Sequence, residues 1–143
     1  MKNYVYIWIG GCLGAVSRVF IKDIQIYQYN GLIPLNTLII NVTGSFLLAL
    51  LLTIALEVWE MDESIRLGIA TGFLGGYTTF STLCKETVSL LSLGHYFSAG
   101  AYIAMSTVLG LLAAYLGIII AREVLGKLIK GKNQDHDDSD LVV

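Results

Sequence analysis

Charge-free apolar runs divide the chain into four stretches. The first begins at about Tyr4 and stays uncharged until Arg18, and the second, from Leu35 to Leu56, holds no charge at all. A third starts near Leu67 and a fourth ends near Ala121. A helix crossing about 30 Å of hydrocarbon needs about 20 such residues, so each run is long enough to span a bilayer. The expected spans are 4–27, 34–57, 66–93 and 96–126. Between Lys85 and Arg122 the only ionisable side chains, tyrosines aside, are Glu86 and His95, so spans three and four turn around within 92–96, where Gly94 lies. The pattern predicts an all-α membrane protein with four transmembrane helices, one domain over residues 1–130 embedded in a lipid bilayer.

Composition agrees, with 55% hydrophobic and only 14% charged residues in 143. Arg18 interrupts the first run and no small-residue cleavage site follows, so the N-terminal segment is expected to stay in the membrane. Residues 131–143 are polar, acidic and without apolar period, and are expected to form a disordered tail. The net charge of -2 says nothing about nucleic acid, but there is no basic stripe to bind one, so no nucleic-acid partner is expected. Cys12 and Cys84 fall within spans, where apolar packing is their expected role. No nucleophile, base and orienter come together in the pattern, and no zinc spacing does, so an enzyme is not expected. The terminal side, with the loop between spans two and three, carries Lys2, Arg66, Arg122, Lys127, Lys130 and Lys132; Arg18, Lys22 and Lys85 lie toward the other side. By the positive-inside rule the termini are expected to be cytoplasmic.

Polar groups within spans are costly, and each marks packing or function. In span one Gly10 and Gly14 form a GxxxG face, and Arg18 and Lys22 continue it at successive turns as a candidate anion-gathering vestibule or as snorkelling cations. Asn41, with Thr37 and Ser45 four residues to either side, puts a hydroxyl and amide face on a leucine-rich helix, either as interhelical glue or as an anion donor. Span three contains GFLGGYTTFSTL at 72–83. Its Gly75-Gly76 pair followed by Tyr77, Thr78 and Thr79 combines weak helix formers with β-branched crowding near mid-span, which predicts a break in the helix. Free backbone at that depth is tolerated only where it is buried or coordinates something. Lys85 next to Glu86 is read as a local ion pair in preference to a vestibule element, and Tyr102, Ser106 and Gly110 share one face of span four.

GGCLGAVSR at 10–18, NTLIINVTGSFLLAL at 36–50 and GFLGGYTTFSTL at 72–83 resemble the three signature segments of the CrcB/Fluc fluoride channels. The resemblance covers all four spans in order. It implies an antiparallel dual-topology dimer in the cell (plasma) membrane, the inner membrane of a bacterium, with two fluoride pores and a structural sodium ion (Na+) at the interface. It implies that the carbonyls of Gly75 and Thr78 hold that sodium. It also implies that Asn41, Ser81, Thr82 and Ser106 offer donors to fluoride, that Phe80 presents its ring edge, that Tyr102 lies along the track and that Arg18 serves the vestibule. The function so implied is a passive fluoride-selective channel that exports the ion from the cytoplasm and confers fluoride resistance.

The chain departs from the family pattern at Leu83, where a second phenylalanine is common, at Gly110 and Ala114, which end the hydroxyl stripe of span four, and at Asn36, which replaces a glycine. These losses, with the charge bias, suggest a partner that is either an identical subunit or a related, non-identical one. Two other classes compete. A small four-helix multidrug or cation exporter needs an intramembrane carboxylate, for which only the off-centre Glu86 is at hand. A non-transporting membrane assembly subunit would use the glycine faces and Asn41 for packing alone.

Overall fold

A computed structural model describes residues 1–23, 32–57 and 61–124 in full and continues as helical backbone to residue 140. Helix α1 is Lys2–Asp23 and α2 is Leu35–Glu57. Helix α3 covers 63–77 and joins an α-helical turn, Glu63–Leu67, to a π-helical stretch, Gly68–Leu74, and a last α-helical turn, Gly75–Tyr77. Helix α4 is Phe80–Ser92 and α5 is Tyr96–Asp140. No strand occurs among the described residues.

Helices α1, α2 and the Tyr96–Val124 part of α5 are each long and apolar enough to cross a membrane. The third expected span, 66–93, is instead divided between α3 and α4. The C-terminal part of span one, beyond Asp23, lies outside the described residues, as do the side chains of the expected acidic tail at 131–143.

Local sequence sets the helix ends. Asp62 caps α3 by accepting from the Ser64 N–H at 2.8 Å. That bond is the first reason its carboxyl is held below the usual carboxylate range. Ser64 in turn donates its hydroxyl to Asn3 Oδ1 at 2.6 Å, tying the start of α3 to the start of α1. The hairpin between α4 and α5 closes as a Schellman motif, with His95 N–H on the Leu90 carbonyl at 2.9 Å and Gly94 N–H on the Leu91 carbonyl at 3.0 Å. Gly94 has φ 78°, the left-handed conformation this motif demands, so the tight turn expected at 92–96 has a specific backbone reason.

Helices α1 and α3 pack backbone to backbone. A Cβ on Gly14 would collide with the Phe73 carbonyl, and one on Gly72 would sit 2.6 Å from the Ile7 carbonyl. One on Gly76 would sit 2.6 Å from the Gly11 carbonyl. The GxxxG face of span one thus finds a second set of glycines, spaced four apart, on α3. In lipid, where apolar tails compete equally for side chains, such close approach is a main source of helix association. The other major contact is between α2 and α5, where Gly117 lies against the Phe46 carbonyl. Helix α2 also holds α3 through Ile40, packed with Leu74 and Tyr77 in the buried core.

Gly14→Leu or Gly72→Val is expected to destabilise the fold by about 1–3 kcal/mol or more. Gly100→Ala, where a Cβ meets nothing within 4 Å, is expected to be neutral or slightly stabilising. Thermal unfolding in detergent micelles checks both; equal melting of Gly14→Leu and the parent chain would contradict the backbone contact.

Candidate functional site

The helix breaks where the glycine and threonine run predicts it. Thr78 is extended, at φ -73° and ψ 157°, and so is Thr79, at φ -147° and ψ 110°, before α4 restarts at Phe80. In a continuous α-helix the Thr79 N–H would donate to the Gly75 carbonyl and the Thr82 N–H to the Thr78 carbonyl. Side chains capture both donors. Thr79 N–H donates to Asn41 Oδ1 at 2.8 Å, and Thr82 N–H donates to Thr79 Oγ1 at 3.2 Å. The carbonyls of Gly75 and Thr78 are thereby released from the helical ladder.

Asn41 completes its grip by donating Nδ2 to the Thr79 carbonyl at 3.1 Å. Its amide therefore pairs with both backbone groups of one residue, as a neighbouring strand would. Above the break the Thr78 N–H and hydroxyl both donate to the Leu74 carbonyl, at 3.0 and 2.9 Å. Below it the Thr79 hydroxyl donates to Thr82 Oγ1 at 2.9 Å and lies 3.4 Å from Ser81 Oγ. From α1, Arg18 Nη1 reaches to 3.5 Å from the Thr78 carbonyl, a long contact that sets a guanidinium beside the break.

Asn41, Ser45, Gly75, Thr78, Thr79 and Phe80 line one open groove of about 290 Å³. The Phe80 residue there is 79% exposed, and a Cβ on Gly75 would meet nothing within 4 Å. Among the described residues no three His, Cys, Asp or Glu side chains gather as a metal site. A cation at the break would therefore be held by neutral oxygens. The two released carbonyls fit a hard cation, and two donors from one chain fall short of its usual coordination number.

The remaining expected residues lie elsewhere. Tyr102 is fully buried and donates its hydroxyl to Glu86 Oε2 at 2.7 Å. Thr37 donates to Glu86 Oε1 at 3.0 Å, and Lys22 Nζ lies 3.8 Å from the same oxygen. Sequence reasoning missed this cluster. It also paired Glu86 with Lys85, whereas the cationic partner is Lys22, brought in from another helix; Lys85 points out as an exposed side chain. The available signal was Glu86 itself, a lone carboxylate between long apolar runs. Ser106, one turn beyond Tyr102, has a buried Oγ with no hydrogen-bond partner among the described residues. Leu83 packs against the buried cluster of Leu38, Leu90, Ala99 and Tyr102, so the position of the missing phenylalanine faces that cluster.

The pattern of the family described as "CrcB-like protein, Camphor Resistance (CrcB)" matches residues 5–118, from α1 through most of the membrane part of α5. The chain belongs to the CrcB-like family. Among its relatives, one from Syntrophotalea carbinolica is 42% identical over 85% of this chain and 99% of its own length. Others come from Hydrogenobaculum sp., 42% identical over 80% and 93%, and Geobacter sulfurreducens, 38% identical over 87% and 100%. Each is named "Fluoride-specific ion channel FluC". In this CrcB-like chain, then, every residue that builds the break and the Glu86 cluster falls within the family match.

Asn41→Leu removes both bonds to Thr79 and leaves its N–H unpaired, at a cost of about 1–3 kcal/mol. Hydrogen exchange at the Thr79 amide is expected to accelerate at least about tenfold. Unchanged exchange would mean that the break holds without Asn41.

Proposed function

We propose that this chain is a subunit of a passive, fluoride-selective ion channel. The observation that carries the reading is the likeness, nearly full-length at about 40% identity, to relatives named as fluoride-specific channels, borne by a fold with a built break in its third span. The chemistry fits a small anion. Fluoride leaves its water shell only where donors and positive edges replace it. The Ser81 and Thr82 hydroxyls, the second N–H of Asn41, the buried Ser106 hydroxyl and the Phe80 ring edge are suitable replacements. We run the track on from the break past the Glu86 cluster, where Tyr102 lies, and Arg18 raises the local concentration of anions near the break.

The open groove with its exposed Phe80 is the face we assign to a second subunit, in an antiparallel dimer of identical or related chains. There the released carbonyls of Gly75 and Thr78 would join their counterparts around a structural sodium ion, which supplies a fixed positive charge at the interface. We place the assembly in the plasma membrane with cytoplasmic termini. A voltage negative inside favours loss of the anion by about 2.3 kcal/mol per 100 mV, so export needs no energy coupling and confers fluoride resistance. The competing exporter reading requires a carboxylate free to trade protons and cations. Both oxygens of Glu86 are already engaged by Thr37 and Tyr102.

Purified protein in liposomes is expected to release fluoride at least about 100-fold faster than chloride, as read by ion-selective electrodes, a gap of about 3 kcal/mol. Equal release of the two would overturn fluoride selectivity. Replacing sodium with a large organic cation throughout purification is expected to lower the melting temperature, because a ion bound only by the folded assembly stabilises it. A melting temperature indifferent to sodium would remove the ion from the proposal.

A further inference from the structure

The end of α1 and the start of α2 are joined by a residue that departs from the family pattern. Asn36 donates Nδ2 to the Lys22 carbonyl at 3.1 Å, tying the start of α2 to the last described turn of α1. The next residue, Thr37, donates to Glu86 Oε1, and the Lys22 ammonium stands 3.8 Å from that same oxygen. Two consecutive residues of α2 therefore hold the two halves of an ion pair, one by its backbone and one by its carboxylate.

The charge balance at this place bears on anion passage. Glu86 is hydrogen-bonded to Tyr102, which the proposed function sets beside the fluoride track, so the inference rests on that reading. At an effective dielectric of about 20, like charges about 6 Å apart repel enough to cut occupancy roughly a hundredfold. An anion track beside an uncompensated carboxylate would conduct poorly. Among the described residues, the other groups bonded to Glu86 are the neutral hydroxyls of Thr37 and Tyr102. Asp23, next to Lys22, adds a further negative charge at that end. Lys85 precedes Glu86 on α4 but is exposed and makes no ion pair among the described residues.

We infer that Lys22 is a positioning residue for conduction: it neutralises Glu86 beside the anion track, and Asn36 holds the backbone that presents it. With its side chain 49% exposed, the pair adds little to stability. Its effect is on the potential felt by a passing anion.

The test is fluoride efflux from liposomes by the full chain and three variants. K22M is expected to slow efflux about tenfold, less than the full repulsion because water reaches the pair. K22R is expected to recover most of the loss, and K22M/E86Q to recover it by removing the charge that needed balancing. Efflux is normalised to folded protein in every case, because removing the second partner also relieves an unpaired charge in the fold. K22M as fast as the parent, or K22M/E86Q as slow as K22M, overturns the assignment of Lys22. A parent chain that passes no fluoride overturns the channel reading instead, and the inference with it.

Discussion

The fold turns on the pairing of one side-chain amide with one backbone residue. Asn41 accepts from the Thr79 N–H and donates to the Thr79 carbonyl, and so replaces helical bonds in the middle of a membrane span. Without such a partner an extended residue at that depth would leave polar groups unsatisfied in a medium with no water, at several kcal/mol each. With it, the chain is able to open its own ladder between Tyr77 and Phe80. The freed carbonyls of Gly75 and Thr78 are a consequence of where Asn41 and Thr79 place their acceptors.

The rest of the bundle serves that pairing. Glycines on α1 and α3 bring two backbones together and fix the upper half of the broken span. Ile40 on α2, one residue before Asn41, packs with Leu74 and Tyr77, so the side of α2 that carries the clamp is held against the end of α3. The lower half is a separate helix, α4, bound to α5 by the tight turn at Gly94 and by the Tyr102 to Glu86 hydrogen bond. Two rigid halves thus meet at a two-residue extended link.

Much of this was legible in the sequence because it depends on local chemistry. Charge-free runs marked the spans, and the Gly75 to Thr79 stretch announced the break through weak helix propensity. The hairpin followed from Gly94. What stayed hidden depends on residues far apart in the chain. Nothing in the local pattern says that Asn41 reaches Thr79, or that Glu86 passes over its neighbour Lys85 for Lys22, because packing sets those meetings. The π-helical stretch Gly68–Leu74 was equally silent, since its glycines read as packing residues whichever helix they form. At the site, Asn41, Gly75, Thr78 and Phe80 do share one groove, while Tyr102 lies in the Glu86 cluster.

Selective, passive passage of fluoride is the claim on which the proposed roles of these residues depend. It is tested most directly by the reversal potential of the current across a planar bilayer holding the purified protein, with opposed gradients of fluoride and chloride. A fluoride-selective pore predicts reversal at the equilibrium potential of fluoride. Reversal at the chloride potential, or a protein that carries no current under either gradient, would contradict it.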